Sequence, residues 1–343
     1  MRTAGVWVTL TLLVGLFLSV SVAAAEPTGT TTYALVHLSD TQNLATRYPG
    51  TYDFTFSYLE GVKAHYNISA IIITGDLVNT WNKRSEWDAY AHARNKTTIP
   101  VYVIAGNHDT NSGKNYTYYS RYTGEPENNY VTTVEDFNLV GINYVAKSLT
   151  PQEFARLRLA INTSTRNFTI IATHYYMNEK GTHSRLGKDI DRQLIVQPTL
   201  ILSGHIHAYR ITVATKNGYP VIEDLTDYQN GEPGRQKNQD YSAGTLYTVT
   251  AVDGQVVKIT SERLRIYPTR SPDDQRFLYS LTGYVPHDTP APVPQPAMQA
   301  ETLTVTMPTE DAGHLRGMGN DLFGLYLAGD SIRDFSRWIL RSP

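Results

Sequence analysis

Five short polar clusters in the 343-residue sequence hold the side chains that could carry out chemistry. Carboxylate and imidazole ligands together favour Mn, Fe or Zn over Mg and Ca, which prefer sites made of oxygen alone. One tetrahedral site cannot use all of these donors, and a carboxylate can bridge two ions. The clusters therefore predict a pair of divalent metal ions. The oxygen and nitrogen donors are Asp40, Asp76, Asn107, His174, His205 and His207.

A pair of ions of this kind predicts hydrolysis of a phosphoric ester. A hydroxide held between two ions is a nucleophile at neutral pH, and the ions stabilise charge on a phosphoryl oxygen during in-line displacement. The leaving group also needs a proton, so a proton donor should lie beside the metals. His108 directly follows Asn107 and is the predicted general acid, and Asp109 is expected to orient the His108 ring.

Each polar cluster directly follows a short apolar run of the kind that forms a buried strand. Between the first three runs, residues 52–65 and 84–95 are long enough for crossover helices, which indicates βαβ units. Thr150, Pro151 and Glu153 predict a further helix that begins with a capping box. Ligands bind where the carboxyl ends of such strands meet, so we expect the clusters to converge. The apolar runs are residues 33–38, 70–73, 101–105, 168–172 and 200–202.

The polar clusters also form an ordered series of motifs. They read Asp40-x-Gln42, Gly75-Asp76, Gly106-Asn107-His108-Asp109, His174 and Gly204-His205-x-His207. This series resembles the calcineurin-like metallophosphoesterase superfamily over residues 33–207, and the strand-rich stretch to about residue 267 fits the second sheet of that family. The resemblance implies an α/β fold for residues 30–267, a four-layer α/β/β/α sandwich of two mixed sheets flanked by helices. It also implies hydrolysis of phosphomonoesters or phosphodiesters.

The same resemblance implies how the two ions are held. Asp76 would bridge them, and His108 would take the transition-state and leaving-group role. The family usually has histidine at position 42, and the neutral amide oxygen of Gln42 is a weaker donor that favours Mn over Zn. One ion would bind Asp40, Gln42, Asp76 and His207, and the other would bind Asp76, Asn107, His174 and His205.

Gln42 leaves a second interpretation open. If the first ion does not bind, the chain is a catalytically degenerate metal- or ligand-binding module on the same fold. Metal content separates the two, because the enzyme should bind two ions per chain and the module one or none. A third interpretation makes the chain a surface-assembly or cell-envelope protein whose important part is the segment from residue 286 onward.

The composition excludes several other classes of site. With no cysteine, the chain has no disulfide, thiolate zinc site, iron–sulfur cluster or cysteine nucleophile. The formal net charge is −2 and there is no dense run of lysine and arginine, so no nucleic-acid partner is expected. The expected partner is a small phosphate-ester substrate.

Residues 1–25 predict a signal peptide or an N-terminal membrane anchor. After Arg2, an uncharged apolar run reaches a small-residue tail that ends at Ala25, where cleavage would occur. The run is also long enough to span a bilayer, and if uncleaved it would tether the chain through residues 6–25. Either way, the remainder is expected outside the cytoplasm, secreted or anchored to the outer face of the membrane. Sequons that fit a secreted glycoprotein begin at Asn67, Asn95, Asn115, Asn162 and Asn167.

The C-terminal part is expected to lie outside the catalytic domain. Residues 268–285 are interpreted as an extension of the domain, and residues 286–308 as a proline-rich linker. Residues 309–343 would contain a short amphipathic helix that docks on the main body or on a partner. Its apolar side chains at helical spacing are Ile332, Phe335, Trp338 and Ile339.

Two segments between the motifs are expected to form loops that set substrate specificity. They are residues 111–129, which are rich in tyrosine, and residues 178–192. The tyrosines would either stack on a base or sugar of the substrate or pack the loop against the protein. These tyrosines are Tyr116, Tyr118, Tyr119 and Tyr122.

Overall fold

The computed structural model describes residues 29–144, 149–226, 242–266, 302–306 and 325–328. Within these residues the chain forms two β-sheets with helices on their outer faces. The strands are β1 (Thr30–Leu38), β2 (Ile68–Ile73), β3 (Val101–Val103), β4 (Tyr130–Val134), β5 (Phe137–Ile142), β6 (Phe168–Thr173), β7 (Thr199–Ser203), β8 (Arg210–Lys216), β9 (Tyr219–Leu225), β10 (Ser242–Val252), β11 (Gln255–Ile266), β12 (Thr302–Thr306) and β13 (Leu325–Ala328). The helices are α1 (Gln42–Arg47), α2 (Pro49–Tyr66), α3 (Arg84–Arg94), α4 (Thr117–Thr123), α5 (Pro151–Thr163) and α6 (Arg185–Gln193).

The first sheet has the order β13-β12-β11-β10-β1-β2-β3. β1, β2 and β3 are parallel, because α1 and α2 connect the first pair and α3 connects the second. β10 pairs antiparallel with both β1 and β11, so the sheet is mixed. The crossover helices predicted from the sequence are confirmed as α2 and α3.

The second sheet has the order β4-β5-β6-β7-β9-β8. β5, β6, β7 and β9 run parallel, and the hairpins β4–β5 and β8–β9 add an antiparallel strand at each edge. α5 connects β5 to β6, and α6 connects β6 to β7. The capping box predicted at the start of α5 is confirmed, since Thr150 accepts from the Glu153 N–H and the Glu153 carboxylate accepts from the Thr150 N–H.

Three apolar layers hold the sheets and helices together. Successive side chains of a strand point to opposite faces, so Val36 of β1 packs with helices α1 to α4 while Leu35 packs between the two sheets. In the second sheet Ile170 of β6 joins the inter-sheet layer, and Ile171 packs with α5 and α6. The resulting order of layers is α/β/β/α, as expected for two mixed sheets flanked by helices.

A buried polar chain crosses the inter-sheet layer. His37 of β1 donates from Nδ1 to the Asp224 carboxylate of β9 at 2.8 Å, and its Nε2 lies 2.9 Å from the Thr74 hydroxyl. Tyr247 and Thr226 donate to the same carboxylate at 2.6 and 2.7 Å. Because a buried charge is tolerated only when its hydrogen bonds are made, this network fixes the two sheets to one another beside the end of β2.

The structure differs from the sequence expectations at three places. The β4–β5 hairpin was not anticipated. The segment at residues 111–129 contains α4 and the segment at residues 178–192 contains most of α6, so neither is an open loop throughout. Within the predicted proline-rich linker, β12 pairs antiparallel with β11, so this part extends the first sheet instead of forming a free linker.

Other sequence expectations fall outside the described residues. They concern the signal or anchor at residues 1–25, the domain extension at residues 268–285 and the amphipathic helix expected in residues 309–343. Among the described helices, none combines the length and the apolar character needed to cross a membrane.

Candidate metal centre

The side chains predicted to bind metal lie at the carboxyl ends of strands from both sheets. Asp40 follows β1, Asp76 follows β2, and His205 follows β7. All three have a left-handed backbone, with φ of 54°, 53° and 69°. This conformation is uncommon for residues with a side chain, although Asp and His adopt it more often than most, and it reverses the chain sharply. The chain therefore turns sharply at each strand end and brings the three side chains together.

Glycines beside these residues allow the strand ends to approach closely. A Cβ atom at Gly106 would collide with the Asp76 side chain and backbone. At Gly204 it would collide with the side chains of Ser39 and Asp40. A larger residue at either position would push a candidate ligand away, which explains glycine next to Asn107 and next to His205.

His174, at the end of β6, lies at the middle of the cluster. Its Nδ1 donates to the Thr74 carbonyl at 2.7 Å, so Nε2 is the ring nitrogen that faces the cluster and could bind a metal ion in place of its proton. Nε2 is 3.0 Å from Asn107 Oδ1, 3.2 Å from His205 Nδ1 and 3.3 Å from Asp76 Oδ2. Asp76, Asn107, His174 and His205 are the set that the resemblance gives to one ion. Their ligand atoms lie close enough together to bind the same cation.

The charges around His174 also favour a cation. Although burial lowers the pKa of His174, the Asp76 and Asp40 carboxylates raise it to about 9. For Asp76, burial alone would raise the pKa, but the positive charges of His174 and His108 outweigh burial and bring the pKa below its usual range. Burial and the His174 charge lower the pKa of His205 to about 4, so His205 is neutral and able to bind metal.

The other predicted ligands surround the same cluster more loosely. Asp40 accepts from the His205 backbone N–H at 2.8 Å, and Gln42 Nε2 donates to Asp76 Oδ2 at 3.4 Å. Burial raises the pKa of Asp40, and the charges of His174 and His207 oppose this rise. His207 itself is exposed at the rim of the site. Asp40 and His207 thus lie near the cluster but outside its compact part, which comprises Asp76, His174 and His205.

The side chain of Gln42 indicates whether the candidate ligands suit a metal ion. Its Oε1 atom is buried and has no hydrogen-bond partner within the described residues. A buried acceptor left unpaired costs about 1–3 kcal/mol, and a cation coordinated by this oxygen would remove the cost. With carboxylate, amide and imidazole donors meeting in one place, the site fits a pair of divalent ions.

The proposed general acid is held by a different group from the one expected. His108 Nδ1 donates to the Asn79 carbonyl at 2.7 Å. The expectation that Asp109 orients this ring is wrong, because Asp109 points into the protein. Its carboxylate accepts from the backbone N–H groups of Leu77, Val78 and Gly106 at 2.8 to 3.1 Å. Asp109 therefore fixes the two loops that follow β2 and β3, and burial and the Asp76 charge raise its pKa to about 7.

The tyrosines of residues 111–129 pack against the protein. Tyr119 is fully buried and donates to the Val103 carbonyl at 2.9 Å, and Tyr116 donates to the Tyr144 carbonyl at 2.7 Å. Tyr118 and Tyr122 stack on one another at 6.2 Å. Of the two roles considered for these side chains, the structure supports packing.

Two other tyrosines line the cluster. The Tyr175 ring lies 4.6 Å from the His205 ring, measured between centroids, and the Tyr144 ring lies 6.0 Å from His205 and 5.8 Å from His174. Both are partly exposed. Sequence reasoning missed them, although the position of Tyr175 directly after His174 was a usable signal. Tyr144 follows the unanticipated strand β5, so the sequence offered no such signal for it.

A second group of histidine and carboxylates lies on the outer face of the second sheet. His183, Asp191 and Glu223 place three ligand atoms within 4.8 Å of one another. The Lys216 ammonium lies among them, 2.9 Å from Asp191 and 2.5 Å from Glu223. Tyr176 donates to Asp191 at 2.6 Å. We call these five residues the Lys216 cluster.

Comparison with known proteins gives one family. The model described as calcineurin-like phosphoesterase matches residues 33–209, which include every predicted ligand. An uncharacterized protein, YvnB of Bacillus subtilis, is 28% identical over an alignment of 234 residues that covers 60% of this chain. The alignment covers 18% of YvnB, so the chain spans less than a fifth of that relative.

Solved structures with a similar fold include a purple acid phosphatase, PPD1, from yellow lupin (Lupinus luteus) seeds. The TM-score is 0.51 at 14% identity, and the match covers 68% of this chain and 52% of the lupin chain. A match to the protein TT1561 of Thermus thermophilus has a TM-score of 0.43 at 14% identity and covers 65% of this chain and 99% of that chain. The lupin match indicates a shared fold.

Proposed function

The chain belongs to the calcineurin-like phosphoesterase family, and on this premise we propose that it is an exported, metal-dependent hydrolase of a phosphodiester or a phosphomonoester. The observation that carries the proposal is the convergence of Asp76, Asn107 and His205 on Nε2 of His174. Export rests on the N-terminal sequence alone, since residues 1–25 have the pattern of a signal peptide or anchor.

Two groups of side chains would hold the ions. Asp76 would bridge, with Asn107, His174 and His205 on one side. The chemistry that two bound ions supply is activation of water at neutral pH and neutralisation of charge on the phosphoryl oxygens. Mn is favoured because Gln42 offers a neutral amide oxygen. On the other side the ligands would be Asp40, Gln42 and His207.

His108 would protonate the leaving group. Because Nδ1 is held by the Asn79 carbonyl, Nε2 is the ring atom left to deliver a proton to the leaving oxygen. The His108 backbone N–H also donates to Asp76 Oδ1 at 2.9 Å, which fixes the acid relative to the bridging carboxylate. Asp109 contributes indirectly, since its three backbone contacts hold the loops that carry Asn79 and His108.

A degenerate binding module is the second candidate function. The observation that favours it is the hydrogen bond from Gln42 Nε2 to Asp76 Oδ2, because in this orientation an amide donor occupies one side of the bridging oxygen. An amide that keeps this bond would compete with the first ion for Asp76. The module would then bind one ion through the His174 side of the site and would not hydrolyse esters.

The test is hydrolysis by the full chain with the bound metals counted. Bis-p-nitrophenyl phosphate and p-nitrophenyl phosphate are assayed with Mn²⁺ for the wild type and for His108→Ala. Loss of a general acid should lower kcat by roughly 10²- to 10⁴-fold. His92→Ala is the matched control, because His92 is exposed on α3 and should leave turnover unchanged. Two ions and turnover support the enzyme, whereas one ion or none without turnover supports the module.

A further inference from the structure

Tyr144 and Tyr175 form the aromatic lining of the candidate metal centre. Tyr144 follows β5 and Tyr175 follows β6, two neighbouring parallel strands of the second sheet. Their rings contact the ligand His205 at centroid distances of 6.0 and 4.6 Å, so both lie at the edge of the cluster. A substrate bound to ions there would have to place its organic group beside one or both rings.

Both side chains are partly exposed beside the cluster. Neighbouring tyrosines are used inside the protein, since Tyr116 donates to the Tyr144 carbonyl and Tyr119 donates to the Val103 carbonyl. The ring contacts of Tyr144 and Tyr175 with the candidate ligands and their partial exposure together indicate side chains that face a ligand.

We propose that Tyr144 and Tyr175 bind the organic group of the substrate and select esters in which that group is a planar aromatic ring. The inference rests on the proposed function and adds a substrate class to it. Aromatic side chains are the usual walls of small-molecule sites, and they favour flat rings through offset or edge contacts. His205 would contribute a third ring on the same side, on a backbone whose N–H donates to Asp40.

The selectivity can be measured separately from the chemistry. Phenyl p-nitrophenyl phosphate and methyl p-nitrophenyl phosphate release the same leaving group and differ in the group that stays on phosphorus. The ratio of their kcat/KM values reports how the enzyme treats that group. The intrinsic reactivity of each ester is the same for every variant, so a change in the ratio between variants reflects the protein.

The variants separate the ring from the hydroxyl. Tyr175→Ala and Tyr144→Ala should each lower the phenyl-to-methyl ratio by roughly 2- to 12-fold, the value of one aromatic contact. Tyr175→Phe and Tyr144→Phe keep the ring and should keep most of the ratio. Tyr118→Ala is the matched control, since Tyr118 stacks on Tyr122 within α4 and should leave the ratio unchanged. If an alanine variant fails to fold, the leucine variant replaces it, because leucine keeps apolar bulk without a ring.

The outcomes distinguish this inference from the proposed function. If the methyl ester is hydrolysed but the ratio is the same in wild type and alanine variants, the aromatic subsite is wrong and the hydrolase stands. If neither ester is hydrolysed and the monoester p-nitrophenyl phosphate is not hydrolysed either, the proposed function fails. Calorimetric binding of phenylphosphonate and methylphosphonate then decides. Tighter binding of phenylphosphonate that Tyr175→Ala removes supports the subsite, and equal binding or none overturns it.

Discussion

The candidate metal centre and the Lys216 cluster are built from the same residue types but are neutralised in different ways. Each places three histidine and carboxylate ligand atoms within 4.8 Å. In the Lys216 cluster an ammonium group lies 2.5 Å from Glu223 and 2.9 Å from Asp191. At the metal centre the ion-pair partner of Asp76 is His174, and no lysine or arginine of the described residues pairs with Asp76.

Because of this difference, we interpret the Lys216 cluster as structural and the other group as a candidate metal site. A buried carboxylate needs a positive partner, because removing a charge from water costs several kcal/mol. Lys216 supplies that partner permanently, and its side chain is only 14% exposed. At the candidate metal centre the partner is the His174 imidazole, whose Nε2 proton a divalent ion can replace. Ligand spacing alone does not identify a metal site, and a fixed cation among the ligands argues against one.

The largest expected effect comes from removing the bridging carboxylate. Asp76→Asn should lower kcat/KM by roughly 10³-fold, because the main electrostatic group of the site is lost, and the number of bound ions should fall. Asp191→Asn makes the same chemical change in the Lys216 cluster and should leave kcat/KM within a few fold. Steady-state kinetics with metal analysis checks both. Equal losses in the two variants would break the distinction between the clusters.

Metal removal should affect stability at one cluster only. A ligand that binds the folded state stabilises it by about 2.7 kcal/mol when its free concentration is 100 times Kd. Protein treated with a chelator should therefore melt at a lower temperature and recover with Mn²⁺. The same shift should persist in Lys216→Met and vanish in Asp76→Asn. Thermal melts with and without Mn²⁺ measure this, and a Mn²⁺ shift in Asp76→Asn would place the stabilising ion elsewhere.

Replacing Lys216 should give a moderate loss of stability. Breaking a fully buried ion pair costs roughly 3–5 kcal/mol, and the partial exposure of Lys216 and Asp191 reduces this to about 2 kcal/mol for Lys216→Met. Chemical denaturation measures the loss. Without the ammonium, His183, Asp191 and Glu223 should also bind one Zn²⁺ per chain, measured by calorimetry. A variant that stays as stable as the wild type and binds no Zn²⁺ would contradict the role given to Lys216.

The convergence of the candidate ligands could be predicted from the sequence because they stand in local motifs. Asp40, Asp76, Asn107 and His205 each follow an apolar strand within a few residues, and parallel strands end at the same edge of a sheet. Spacing and strand polarity are sufficient to place such residues together. The α/β character of the first half followed from the same alternation of strands and helices, and the four-layer sandwich followed from the family resemblance.

The contacts that the sequence did not predict involve backbone groups or unrecognised elements. His108 is held by the carbonyl of Asn79, and every residue type has a carbonyl. The β4–β5 hairpin was missed because its turn contains Glu135 at φ 48° instead of glycine or asparagine, and Tyr144 was missed with it. Lys216 ends the edge strand β8 and reaches its cluster through tertiary packing alone.

The smallest effect should come from removing the Tyr176 hydroxyl. This hydroxyl belongs to the Lys216 cluster, although Tyr176 is close in sequence to a candidate metal ligand. Tyr176 is two residues after His174, yet its hydroxyl donates to Asp191 and accepts from Lys216 at 2.7 Å. Tyr176→Phe removes these bonds and should cost about 1 kcal/mol of unfolding free energy. Because the Tyr176 hydroxyl contacts the Lys216 cluster and not the candidate metal ligands, kcat, KM and the Mn²⁺ requirement should not change. A changed Mn²⁺ requirement in Tyr176→Phe would mean that the two clusters are coupled through the segment between them.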